Sequence, residues 1–117
     1  AMVVKPGKIA LLQFPRTDLG EGKLRPVLLI ARVPGIYHDW LVAMISSRLE
    51  QTIPHFDEVI KENEADFAIS GLKGTSVVRV GRLAVVDIGL LPGAIGEISE
   101  KRLNRIRQKI IKWIVGQ

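Results

Sequence analysis

Leu24-Arg25-Pro26-Val27-Leu28-Leu29-Ile30-Ala31 sets an arginine and a proline directly ahead of a continuous apolar run. The run is too short for a helix of its own and too apolar for a half-exposed strand, which predicts a central strand covered on both faces. Proline has no N–H for a sheet ladder, so Pro26 is expected at the first residue of that strand, with Arg25 at its mouth. A second run, Trp40-Leu41-Val42-Ala43-Met44-Ile45, ends abruptly in Ser46-Ser47-Arg48, and Pro34-Gly35 marks a turn between the two. If the runs pair antiparallel, as hairpin neighbours do, the start of the first faces the end of the second. Arg25 and Ser46 then sit side by side at one end of a sheet.

The rest of the chain is built around that pair. Lys8 to Phe14 reads as a first strand, opened by Pro6-Gly7 and closed by Pro15. Residues 16–23 form a polar loop over the same sheet end, either a plain connection or a mobile lid. Residues 47–55 make another loop at that end, Phe56 to Ile60 a short strand, and Lys61 to Asp66 an acidic turn expected to be solvated. The glycine-punctuated segment Phe67 to Gly74 carries no clear period. Ser76–Val80 and Arg82–Asp87 are strand-like, and Gly81 between them signals a bulge or sharp bend, the device by which a small sheet curls on itself. Gly89 to Gly96 reads as a loop with apolar anchors.

Ser99 then caps a helix from about Glu100 to Val115, with Ile98 and Leu103 at the spacing of a hydrophobic staple. Its apolar stripe is Leu103, Ile106, Ile110, Trp113 and Ile114. Lys101, Arg102, Arg105, Arg107, Lys109 and Lys112 occupy the other face, either as a solvated surface or as a nucleic-acid contact; the lack of interleaved aromatics favours the first. The fold expected is mostly β: a small, mostly antiparallel, partly closed barrel with one C-terminal helix across it.

The 117 residues fit one domain, 1–117, in which Ala1 ahead of Met2 reads as a cloning remnant. Without cysteine there is no disulfide, no thiolate nucleophile and no cysteine–zinc site, which suits a reducing cytoplasm. No apolar run suggests a signal peptide or membrane span. His38 and His55 lie in separate loops without a second ligand at useful spacing, and no Gly-rich phosphate loop is present, so neither a metal nor a cofactor is expected. A formal charge of +5 favours an anionic partner, nucleic acid or an acidic protein segment.

The remaining chemistry-bearing set is Arg25 beside the hydroxyls of Ser46 and Ser47, with Arg16, Lys23 and Arg48 on adjoining loops. It suits a phosphodiester: guanidinium matches phosphate oxygens with a planar fork, and RNA brings its own nucleophile in the 2′-hydroxyl. Spacing alone leaves open a plain alternative, a surface cation next to a serine that satisfies backbone groups at a strand end. Leu90, Leu91 and Ile95 look too apolar for open solvent and, only together with the family resemblance below, point to a twofold dimer.

Gly7-Lys8-Ile9, Phe14-Pro15, Leu24-Arg25-Pro26-Val27, Ile45-Ser46-Ser47-Arg48, Gly71-Leu72 and Ser76-Val77-Val78-Arg79-Val80 with Arg82-Leu83 resemble, in order and spacing, the PemK/MazF toxins of bacterial toxin–antitoxin pairs. The resemblance implies a homodimeric SH3-like barrel that cuts single-stranded RNA without metal and leaves a 2′,3′-cyclic phosphate. It puts the catalytic arginine on Arg25 and the catalytic threonine or serine on Ser46. It also implies a cognate antitoxin whose acidic tail occupies the RNA groove. The same fold serves CcdB-type toxins, so a non-catalytic binder of DNA gyrase or another protein is the alternative; Arg25-Pro26 and the Ser46 hydroxyl favour the nuclease.

Overall fold

Val27 to Ile30 are all buried, with Leu28 and Ile30 on one side of a sheet and Val27 and Leu29 on the other. A continuous apolar run does this when its strand is covered on both faces. The computed structural model describes residues 4–14 and 23–117. Its strands are β1 (Lys8–Phe14), β2 (Lys23–Arg32), β3 (Asp39–Ser46), β4 (Glu58–Ile60), β5 (Ser76–Asp87) and β6 (Gly93–Glu97). Its helices are α1 (Phe67–Ser70) and α2 (Glu100–Val115). The strands pair antiparallel in the order β4-β5-β3-β2-β1-β6, a curled half-barrel with β2 and β3 at its centre.

Pro26 is the fourth residue of β2, not the first. On one side β2 stays paired with β1 from Leu28 out to Lys23, with Pro26 opposite Leu11. On the other side the ladder to β3 stops at Val27 opposite Met44. The strand therefore runs past its proline as an edge, the setting in which a missing N–H is tolerated.

The bend expected at Gly81 is a bulge within one twelve-residue strand. Ala43 faces Leu83 and Met44 faces Arg79, so Val80, Gly81 and Arg82 have no partner on β3. The Val80 N–H released by the bulge donates to the buried Asp57 Oδ1 at 2.9 Å. Gly81 lies under the Phe56 ring, which a Cβ there would approach to 3.2 Å.

The segment expected as a loop after Gly89 is a turn at Ile88–Leu90 followed by β6, which pairs with β1. Gly96 is needed there for close approach rather than for turning: a Cβ on it would lie 2.2 Å from the Ile69 carbonyl oxygen of α1. Among the three expected dimer anchors, Leu91 is buried in the second core and Ile95 packs against the first, leaving only Leu90 half exposed.

Helix α2 lies against the first core through Leu103, Ile106 and Ile110, and the Ser99 hydroxyl caps it by accepting from the Arg102 N–H at 3.2 Å. Trp113 meets Phe56 edge-on at 5.5 Å, while Ile114 is largely exposed where the helix overruns the sheet. The basic face is not simply solvated. Arg102 is buried and donates to Asp66 through Nε at 2.8 Å and Nη2 at 2.9 Å, and to Glu58 through Nη1 at 2.8 Å. Arg105 Nη2 and Lys109 Nζ also reach Glu58, at 2.8 and 3.0 Å. Two buried acids therefore supply counterions to the helix, Glu58 from β4 and Asp66 from the end of the otherwise solvated acidic turn.

Hydrogen bonds from Arg102 hold the Asp66 carboxyl well below the usual carboxylate range, against the opposing effect of burial. Burial pushes Glu58 up, but the hydrogen bonds and charges of Arg105 and Lys109 outweigh it and leave this carboxyl lowered as well. Lowered carboxyls bind protons more readily in the unfolded chain, so their stabilisation is complete above about pH 4 and is lost as pH falls further. Arg102→Leu strands the buried Asp66 carboxylate and removes one of three cations from Glu58, and should cost about 3–5 kcal/mol in urea unfolding at neutral pH. Asp66→Asn should flatten the fall in stability below about pH 4; an unchanged acid profile would show that Asp66 is not its source.

Candidate functional site

Beyond Val27 and Met44 the two central strands part company. β2 continues along β1, while β3 continues along β5, with Ile45 opposite Val78 and Ser46 opposite Val77. Extending the β2–β3 register by two residues sets Arg25 across from Ser46. Both side chains border the gap that opens there. A narrow cleft of about 260 Å³ runs between Arg25, Pro26, Met44, Ser46, Gln51, Arg79 and Arg82. It adjoins a wider one of about 670 Å³, bordered by Arg25, Ser46, Ser47, Arg48, Gln51, Lys73 and Thr75. Leu11, Pro26, Ile45, Leu72 and Ile95 give the wider cleft an apolar floor.

Local hydrogen bonding fixes the polar rim. The Arg48 N–H donates to Ser46 Oγ at 3.0 Å, so the chain turns sharply as it leaves β3. The serine oxygen accepts that bond and keeps its own O–H to donate elsewhere. A single helical turn at Leu49–Gln51 follows, and Gln51 Oε1 accepts from Arg79 Nη1 at 3.0 Å. Arg79 Nε lies 3.3 Å from Asp57 Oδ2. Lys73 arrives on the segment after α1, where Gly71 takes φ +70° and a Cβ would meet the Ile95 carbonyl oxygen at 2.0 Å. Only glycine allows that crossing.

The electrostatics are one-sided. Arg25, Arg48, Lys73, Arg79 and Arg82 border the two clefts, and no aspartate or glutamate among the described residues does. Among the described residues, Arg25, Arg48, Lys73 and Arg82 make no ion pair, in contrast to the paired cations of α2. An extended anion with apolar groups attached, such as a stretch of nucleic acid, matches both the rim and the floor.

Of the residues expected from sequence, Arg25, Ser46, Ser47 and Arg48 come together at this opening. Lys23 is exposed at the start of β2 and borders neither cleft, and Arg16 lies outside the described residues. Gln51, Lys73, Arg79 and Arg82 join without having been singled out. In a regular strand, residues 79 and 82 would point to opposite faces. The bulge resets that alternation, and Gly81 between two arginines was the available signal.

A family model described as "PemK-like, MazF-like toxin of type II toxin-antitoxin system" matches residues 5–114. Comparison with curated proteins returns no match. Solved structures of similar fold include MazF (Form-I) from Deinococcus radiodurans, at 20% identity and TM-score 0.70 over 100% of both chains. They also include the Mycobacterium tuberculosis toxin MazF-mt6, at 20% identity and TM-score 0.67 over 92% of this chain and 96% of that one. A third is an endoribonuclease in complex with its cognate antitoxin from a mycobacterial species, at 17% identity and TM-score 0.62, covering 97% and 96%.

If the unpaired cations hold a polyanion, the logarithm of affinity for a single-stranded oligonucleotide should fall linearly with the logarithm of salt. Lys73→Gln or Arg82→Gln should each flatten that slope by about 0.7, the share of one phosphate contact on a single strand. Filter binding across a salt series reads both values, and a slope unmoved by either change would remove these residues from the contact.

Proposed function

The chain belongs to the PemK-like, MazF-like toxin family of type II toxin–antitoxin systems, and from that premise we propose that it is an endoribonuclease toxin cutting single-stranded RNA at the opening between β2 and β3. One observation carries the reading: among the described residues five cations and no carboxylate border that opening, while the buried Glu58 and Asp66 neutralise the helix instead.

In the reaction the substrate's 2′-oxygen attacks the adjacent phosphorus as its proton is removed. The P–O5′ bond breaks, a proton goes to the leaving O5′, and a 2′,3′-cyclic phosphate remains. Arg25 stabilises the charge that builds on the phosphorane oxygens, where a preorganised cation contributes most. Ser46, with its oxygen engaged by the Arg48 N–H, donates its O–H to a phosphate oxygen and orients the phosphate. Ser47 and Arg48 hold the flanking backbone, and Lys23 and Arg16 extend the basic track. Guanidinium stays charged at any working pH, so the chain's own groups supply the electrostatic help a metal would otherwise give.

A cognate antitoxin with an acidic segment fits the same basic opening, and the net charge of +5 supports such a partner. A homodimer, with Leu90 at or near the contact, is part of the same proposal and is read by sedimentation at micromolar concentration. RNA as substrate and a chain without cysteine suit the cytoplasm as the place of action.

The test is cleavage of an end-labelled RNA. Arg25→Ala should lower the rate about a hundredfold to a thousandfold, and Arg25→Lys should restore little because a point charge cannot reproduce the fork. Ser46→Ala should cost less than Arg25→Ala, and Ser46→Thr should remain active. His55→Ala should be nearly neutral, EDTA should leave the rate unchanged, and the 5′ fragment should end in a cyclic phosphate. A dead histidine variant beside an active Arg25→Ala would overturn this site. No cleavage of any RNA, with tight binding to a protein target such as gyrase, would favour the CcdB-type alternative.

A further inference from the structure

We propose that the buried Asp57 carboxylate is a positioning residue which, through Arg79, sets the Gln51 amide to read a keto base, uracil or guanine, beside the scissile phosphate. The inference rests on reading the opening as an RNA site.

Asp57 has a fully buried side chain, yet it belongs neither to the hydrophobic core nor to the ion network of α2. Its Oδ2 accepts from the Ile53 N–H at 2.9 Å, in the turn that follows Gln51. Its Oδ1 accepts from the Val80 N–H at 2.9 Å, in the bulge next to Arg79. One carboxylate thus ties together the two segments that carry Gln51 and Arg79. It also lies 3.3 Å from Arg79 Nε, placing a negative charge behind the guanidinium. Buried main-chain donors left unpaired are costly, so these two bonds hold the carboxylate in place.

Arg79 in turn decides which way the Gln51 amide faces. Its Nη1 lies 3.0 Å from that amide, and a guanidinium has donors only, so the atom turned toward it is Oε1. The –NH₂ group is left for a ligand. Gln51 borders both clefts, the narrow one with Arg25 and the wide one with Lys73 and Thr75, so the amide stands where they meet. A base placed there meets donors and no acceptor from this side chain. Uracil and guanine present a carbonyl oxygen on the edge where cytosine and adenine present an amino group. The amino bases would set donor against donor.

The experiment compares kcat/KM on short RNAs that differ only in the base on either side of one scissile phosphate. Wild-type protein should prefer uracil or guanine over cytosine and adenine at one of these positions, by about tenfold for one discriminating hydrogen-bonded contact. Gln51→Ala should cut all four at similar rates. Gln51→Glu, whose carboxylate takes the Arg79 contact and offers no donor, should shift the preference toward cytosine and adenine. Asp57→Asn, folded by circular dichroism, should flatten the preference, since an amide cannot accept from both main-chain donors and still face the guanidinium with negative charge. Should Asp57→Asn fail to fold, Arg79→Lys tests the same link: it keeps the cation but not the fork, and should flatten the preference too. A folded Asp57→Asn, or an Arg79→Lys, that keeps the full preference would overturn the relay. Wild-type cleavage without a base preference, or a preference that survives Gln51→Ala, would overturn this inference alone. A wild-type protein that cuts none of the RNAs would overturn the nuclease reading and this inference with it.

Discussion

Pro26 has no N–H to give to β3, and the ladder between the two central strands ends at the residue after it. At Val27 and Leu28, β2 is held on both sides, by β1 and by β3. From Pro26 outward β2 is kept in place by β1 alone and β3 by β5 alone, and a gap opens between them. Everything that borders the clefts arrives at that gap from a different part of the chain. The β5 bulge contributes Arg79 and Arg82, the turn after β3 contributes Gln51, and the crossing at Gly71 brings Lys73.

Charge is sorted in the same way. Three acids, Asp57, Glu58 and Asp66, are buried. Two of them bind the arginines and lysine of α2, and the third faces Arg79. Burying such a network adds little net stability compared with apolar packing, but removing one partner leaves the others uncompensated. Its structural effect is to dock the helix and to keep carboxylates away from the clefts. The net charge of +5 is therefore felt mainly where Arg25, Arg48, Lys73 and Arg82 stand without acidic partners among the described residues.

The sequence by itself determined the features that depend on spacing along one segment. The flanking prolines and glycine made β1 legible, the unbroken apolar runs marked β2 and β3, and the Ser99 cap with its apolar stripe marked α2. The nearness of Arg25 and Ser46 followed from the rule that hairpin neighbours run antiparallel. Only the tertiary structure decided the rest. Pro26 could stand inside a strand because β3 had already left it, which β2 alone does not reveal. The acidic turn is solvated over most of its length, but its last residue, Asp66, is buried because it meets Arg102, 36 residues further along the chain. Gly89 to Gly96 read as a loop, whereas Gly93–Glu97 is a strand on β1 in which the backbone of α1 requires Gly96 to be small. Arg79 and Arg82 reached one opening only because a bulge changed the phase between them. Local spacing sets the direction of a side chain relative to its own segment, whereas what that side chain meets is set by segments that are neighbours only once the chain has folded.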